Sequence, residues 1–249
     1  MIDVAFTGAQ VRPAAMAVVI DVLRATSTIT LALASGYERV LVAGGIDQAR
    51  ELRAEGRVLA GEIECERPPG FDLGNSPEET LTPRGPELIL ATTNGAPAIV
   101  AAAAACDQVL VASLLNLDAV VATLAEDRVD VLLVCAGTNG AVTLEDVYLA
   151  GRISAALEGD RTDAARVAEA LAASFQKPLD ALDASAGSVG LYAAGLASDI
   201  AFCAQESITS MVAQLARTIG DVAILQARSQ TVGVPAQHAA STASEHGSS

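Results

Sequence analysis

Short unbroken apolar runs alternate along the chain with longer segments whose apolar residues recur every three or four positions. The runs at 18–20, 39–43, 58–60, 88–91, 109–112 and 131–135 have strand length and little polar alternation, the mark of strands buried on both faces. The segments at 27–35, 47–55, 97–105, 117–125 and 144–157 read as helices, and Gly36 and Gly56 stop the first two. A long loop at 62–76 contains Pro68, Pro69, Gly70 and Gly74. Ser76-Pro77-Glu78-Glu79 then has the form of a capping box with proline at the first helical position. Past Gly159 the pattern weakens. Residues 162–175 read as helix, Pro178 breaks it, 179–196 are helical in parts, and 199–203 and 221–227 are strand candidates. Alternating strands and helices predict an α/β fold with a mostly parallel sheet in three α/β/α layers.

The segments also repeat. I-D-V-L-R-A-T-S-T, a helix and S-G-Y-E-R-V-L-V-A are echoed by I-L-A-T-T-N-G-A-P, a helix and A-C-D-Q-V-L-V-A. V-L-L-V-C-A-G-T-N-G is a partial third copy. Each copy runs from strand through a Thr-, Asn- or Gly-bearing turn toward helix. A single such turn is explained by capping and chain reversal alone. Three turns at one topological position are expected to share an edge of the sheet, where open α/β sheets bind ligands.

Composition narrows the chemistry. Apolar residues make up 51% of the 249 positions, enough for a substantial core. The net charge of −15, with Lys177 the only lysine, argues against a nucleic-acid partner, which needs basic stripes. An anionic ligand must therefore be held locally, by a few arginines, helix starts or a metal. The apolar window 96–117 is broken by Pro97 and Asp107-Gln108, so no membrane span is expected. The N-terminus lacks a basic region followed by an apolar signal core. Cys65, Cys106, Cys135 and Cys203 have no C-x-x-C spacing, which suits reduced thiols and a cytoplasmic protein. His238 and His246, the only histidines, lie in the low-complexity tail, expected to be disordered from 231 to 249. Chemistry must then run on carboxylates, Cys, Ser/Thr, Arg and a hard metal.

Within V-V-I-D-V-L-R-A-T-S-T, Asp21 closes an apolar run, where a lone charge is costly unless paired or metal-bound. Arg24 suits bidentate grip on a phosphoryl or carboxylate group. Thr26 and Ser27 open a helix, whose N–H groups favour an anion. Glu62 is a candidate metal ligand beside the long loop, and Asn75 a candidate substrate contact at its end. Thr93, Asn94 and Gly95 form the second turn. Cys135 and Gly137 belong to the third, with Cys135 a candidate nucleophile or a buried structural thiol. Glu145 and Asp146 start a helix after Thr143. Adjacent helical side chains diverge by about 100°, so the two acids are not expected to share one metal.

Taken together, V-V-I-D-V-L-R-A-T-S-T, L-A-G-E followed by G-F-D-L-G-N-S-P, A-T-T-N-G, V-C-A-G-T-N-G and L-E-D-V-Y-L-A-G resemble the 2-phosphosulfolactate phosphatase family, with a weaker echo in D-I-A-F-C-A. The resemblance implies a three-layer α/β protein with two related halves, about 1–115 and 116–230, in one domain spanning 1–230. It implies Mg²⁺-dependent hydrolysis of a small sulfonated phosphoester to 3-sulfolactate and phosphate, on a route to coenzyme M. Asp21, Arg24, Glu62, Asn75, Asn94, Cys135, Glu145 and Asp146 fall in matching motifs. From their chemistry, Asp21, Arg24, Cys135 and Glu145 are the candidate catalytic residues. Arg24, Thr26, Ser27, Asn75, Thr93, Asn94, Gly95 and Gly137 are candidates to hold substrate, and Asp21, Glu62 and Asp146 to hold Mg²⁺. Water, Asp21 and Cys135 remain alternative attacking groups. Ile63 stands where the family pattern carries an arginine, and Met211-Val212-Ala213 replaces a V-P ending. The expected partner is a small phosphorylated anion, with room for a homodimer. The rival readings are an anion binder of the same fold and a phosphatase for another small acid.

Overall fold

The computed structural model describes residues 1–228, so the tail expected at 231–249 lies outside the described residues. In chain order the elements are β1 (Ile2–Ala5), β2 (Ala14–Ile20), α1 (Ala25–Ser35), β3 (Arg39–Ala43), α2 (Ile46–Glu51), β4 (Arg57–Gly61), β5 (Glu87–Ala91), α3 (Gly95–Ala105), β6 (Cys106–Ala112), α4 (Leu117–Asp127) and β7 (Val131–Cys135). They continue with α5 (Leu144–Ala156), α6 (Asp163–Ala173), α7 (Pro178–Asp183), α8 (Ala186–Ala193), α9 (Ala197–Cys203), β8 (Ala213–Ile219) and β9 (Val222–Ala227). The nine strands form one sheet in the order β1-β7-β2-β6-β8-β9-β3-β5-β4. Two parallel blocks, β1-β7-β2-β6 and β3-β5-β4, are joined by the antiparallel hairpin β8–β9. Strands from beyond residue 115 are thus interleaved with strands from before it.

The expected α/β class and three layers hold. Val40, Val42, Val109, Val111, Leu132 and Val134 turn one sheet face onto Ile29 and Ala32 of α1 and Ile99 and Ala102 of α3. The alternate positions, among them Val18, Leu110 and Leu133, meet Val120 of α4 and Leu149 and Ile153 of α5. Leu41, Leu59 and Ile89 pack with Ala49 of α2 on the same side of the other block. Strand alternation therefore explains why the runs are apolar throughout: both faces are covered. Gly36 ends α1 at φ 112°, a conformation that costs a side-chain-bearing residue about 1–2 kcal/mol. No described helix is long and apolar enough to cross a membrane, and all four cysteines are free.

Several local expectations are corrected. The segment 199–203 is not a strand but lies in α9, where Asp199, Ile200 and Cys203 share the buried side at helical spacing. A short apolar run does not distinguish the two by period. The strands β1 and β8 escaped notice; β8 is exposed over most of its length and lacks an apolar run. The helix expected at 47–55 ends at Glu51. Ser76 does not cap: Pro77–Thr80 is a single 3₁₀ turn, the Ser76 hydroxyl donates to Asp199, and Glu79 accepts from the Gly74 N–H.

Candidate active site

The loops that follow the carboxyl ends of β2, β3, β4, β5 and β7 converge on one cavity of about 490 Å³. Asp21, Arg24, Glu62, Asn75, Thr93 and Asn94 all line it, together with Thr138, Asn139 and the α8 glycines Gly187 and Gly190. The strand-to-helix turns thus share a cleft, with α1 and α3 both starting at its wall. The first N–H groups of α1 are taken by Asp21, and the Gly95 N–H that opens α3 by the Thr92 hydroxyl, so it is the positive ends of the two helices, with Arg24, that make that wall attractive to an anion in a chain otherwise strongly acidic.

Asp21 sits where β2 gives way to α1. Its Oδ1 accepts from the Ala25 N–H at 3.2 Å, while Oδ2 has no hydrogen-bond partner among the described residues. Burial, then Asp146, raises its carboxyl from 3.8 to about 7; the Ala25 N–H and Arg24 oppose the rise and Glu62 adds to it. Gly95 is required beside it. A Cβ there would stand 2.9 Å from both Asp21 Oδ2 and Ala25 Cβ. Glu62 accepts the Cys65 N–H through Oε2 at 2.7 Å. Asn75 Oδ1 is buried without a partner among the described residues, and the Asn75 carbonyl accepts the Thr28 hydroxyl at 3.1 Å. Asn94 joins the second and third turns by accepting the Asn139 N–H at 3.1 Å.

Arg24, 3% exposed, donates through Nη1 to Asp199 Oδ2 at 2.5 Å and through Nη2 to the Cys65 carbonyl at 3.4 Å. The Leu23–Arg24 peptide bond is cis. Asp199 was missed in the sequence; the signal was an acid inside the apolar stretch D-I-A-F-C-A.

Other candidates are drawn away from the cleft. The Thr26 hydroxyl donates to the Asp21 carbonyl and the Ser27 hydroxyl to the Val22 carbonyl, so both are fully buried helix-start locks rather than anion contacts. Cys135 does not reach the cavity. It is fully buried on the α5 side of the sheet, and burial followed by Asp146 and Glu145 pushes its thiol well up, the reverse of an activated nucleophile. Asp146 lies behind Asp21. Its oxygens accept the Val22 N–H at 2.9 Å, the Gly137 N–H at 3.1 Å and the Thr143 hydroxyl at 2.9 Å. Those bonds lower its carboxyl, yet burial outweighs them and lifts it to about 6. Gly137 serves this turn through its backbone at φ +67°, where a Cβ would clash with the Ala141 carbonyl. Glu145, 3% exposed with Oε2 unpartnered among the described residues, sits beneath Gly187; burial and then Asp146 raise it to about 8.

The donor set fits a small hard cation. Asp21 and Glu62 each keep one oxygen outside the protein's hydrogen bonds, and Asn75 offers an unpartnered buried amide oxygen. Among the described residues no three Asp, Glu, Cys or His side chains form a complete metal cage. Mg²⁺ does not require one, since it takes one or two carboxylates and keeps waters and phosphate oxygens for its remaining positions.

Residues 6–218 match the family model described as 2-phosphosulpholactate phosphatase. The chain is 39% identical over 219 residues to a probable 2-phosphosulfolactate phosphatase of Thermotoga petrophila, covering 86% of this chain and 95% of the relative. A probable 2-phosphosulfolactate phosphatase of Thermus thermophilus is 38% identical, with 84% and 91% covered. The 2-phosphosulfolactate phosphatase of Methanothermobacter thermautotrophicus is 34% identical, with 79% and 85% covered. A cleft that gathers the family motifs onto one wall, and matches that run nearly the length of each relative, show that the chain belongs to the 2-phosphosulfolactate phosphatase family of phosphoric monoester hydrolases.

Proposed function

We propose that this protein hydrolyses 2-phosphosulfolactate to 3-sulfolactate and phosphate with Mg²⁺ held by Asp21, Glu62 and Asn75. The observation that carries the reading is the convergence of Arg24, Asp21 and the starts of α1 and α3 on one small cavity. A phosphoryl group entering it meets donors on the Arg24 side and acceptor oxygens on the Asp21 side. Bound there, Mg²⁺ supplies Lewis-acid neutralisation of phosphoryl charge.

The chain's own residues do the rest. Arg24 and the positive ends of α1 and α3 stabilise charge that spreads over the equatorial phosphoryl oxygens in the transition state. As the phosphorus–ester oxygen bond breaks and the hydroxyacid oxygen leaves and takes up a proton, either a water aligned by Asp21 attacks the phosphorus, or Asp21 Oδ2 itself attacks and the resulting phosphoaspartate is hydrolysed by water; in the second case Oδ2 would not also serve as a metal ligand. Cys135 has no access and takes no part. The Pro/Gly loop after β4 closes one wall, with Glu62, Ile63 and Cys65 facing the cavity.

A second reading rests on Ile63, which lines the cavity half-exposed where the family pattern carries an arginine. An apolar side chain there favours a small phosphorylated acid without the sulfonate. Phosphate release from 2-phosphosulfolactate, 2-phospholactate and 2-phosphoglycerate, each with Mg²⁺ and with EDTA, separates the readings. Preferred release from the sulfonated ester supports the proposal, and preferred release from another ester supports the second. Phosphate binding without hydrolysis of any ester identifies an anion binder and refutes both.

A further inference from the structure

Among the described residues Arg24 is the only cation on the cavity wall, and its orientation is set from behind by a residue that does not line the cavity. Asp199, 2% exposed on α9, accepts Arg24 Nη1 through Oδ2 at 2.5 Å. Its other oxygen, Oδ1, accepts the Ser76 hydroxyl at 2.7 Å. Ser76 ends the Pro/Gly loop, directly after the cavity residue Asn75. One carboxylate therefore ties together the start of α1, the end of that loop and α9. A buried ion pair is a poor source of stability, because desolvating both charges offsets their attraction. What the pair does supply is direction. Arg24 is long and flexible, and the other charged groups on the cavity wall are acids: Asp21, Glu62 and Glu64. Released from Asp199, its guanidinium would turn toward those acids instead of toward an incoming anion.

We propose that Asp199 is a positioning residue that holds the Arg24 guanidinium open to the phosphoryl group, with Ser76 fixing the carboxylate's own orientation. This rests on the reading of the cavity as a phosphoester site. Neither residue contacts the reacting atoms; Ser76 and Asp199 act through Arg24. Asparagine at 199 can still accept from Nη1 and can turn its amide NH₂ toward the Ser76 oxygen, so it keeps the geometry and removes the charge. Alanine keeps neither.

The test uses the full chain with Mg²⁺ and inorganic phosphate as the calorimetric probe, alongside steady-state hydrolysis and an unfolding scan. Asp199→Ala is expected to weaken phosphate binding about tenfold or more, the scale of a lost charge-assisted contact. Its KM should rise in step, and Asp199→Asn should recover most of the loss. A folded Asp199→Ala protein with wild-type phosphate affinity overturns the proposal, because a purely structural pair lowers unfolding temperature without touching affinity. Should Asp199→Ala fail to fold, Ser76→Ala decides. It leaves the ion pair intact and, acting on Arg24 only through the carboxylate it orients, should weaken phosphate binding about threefold; unchanged affinity overturns the proposal. Wild-type protein that binds phosphate yet hydrolyses none of the esters refutes the assigned reaction and leaves the positioning role standing. Wild-type protein that binds no phosphate overturns both.

Discussion

Replacing Asp21 by asparagine should make the metal-free protein more stable while destroying its activity. Burial and the neighbouring Asp146 raise the Asp21 carboxyl from 3.8 to about 7. A raised acid stabilises the fold fully below its unfolded value, and that contribution is lost as pH rises through the folded value. At about pH 8 the charged form is therefore disfavoured in the fold by on the order of 4 kcal/mol. Asparagine also gives up the attraction of Arg24 and part of the bond strength to the Ala25 N–H, so the net relief is on the order of 2 kcal/mol. For a domain of this size that corresponds to roughly 4–8 °C in unfolding temperature. Asparagine can keep the Ala25 N–H bond, so no hydrogen bond is forfeited. Scanning calorimetry in EDTA should show a gain at about pH 8 that vanishes near about pH 4, where both proteins carry a neutral side chain. Adding Mg²⁺ should raise the unfolding temperature of the wild type and leave Asp21→Asn nearly unmoved. A variant that is equally stable or less stable at pH 8, or a gain that does not depend on pH, would refute the electrostatic argument.

Other perturbations read different parts of the site. Gly95→Ala sets a methyl group 2.9 Å from Asp21 Oδ2. The displaced carboxylate should lower kcat/KM about 100-fold, measured by phosphate release, with secondary structure unchanged by circular dichroism. Cys135→Ala should retain turnover within about twofold and lose about 1 kcal/mol in denaturant unfolding, since the thiol is core rather than nucleophile. Metal-free protein should lose stability as pH climbs from about 4 to about 8, because Asp146, Asp21 and Glu145 all carry raised carboxyls that keep in the fold protons the unfolded chain has already released. Chelation should abolish phosphate release, and Mg²⁺ should restore it.

The sheet was readable because its strands are apolar on both faces: β3 and β7 fall on the expected residues 39–43 and 131–135. The hairpin was harder. β8 is largely exposed, so no apolar run announces it, and its partners lie in β6 and β9. The cleft was legible in part. Asp21, Arg24, Asn75 and Asn94 stand at strand ends or loop ends, and topology alone brings such positions together. Orientation was not legible. Cys135 and Val134 are neighbours that face opposite sides of the sheet, and sequence gives the alternation but not which face carries the site. The hydroxyls of Thr26 and Ser27 look like anion ligands until their backbone partners are seen. Asp199 lies 175 residues from Arg24, so only the folded chain reveals the pair.

The most direct measurement is a crystal structure with Mg²⁺, 3-sulfolactate and phosphate. The account predicts phosphate within hydrogen-bond reach of Arg24 and the α1 and α3 starts, with the cation between Asp21 and Glu62. Phosphate bound elsewhere, while Arg24 keeps its bond to Asp199 over an empty cleft, would contradict it.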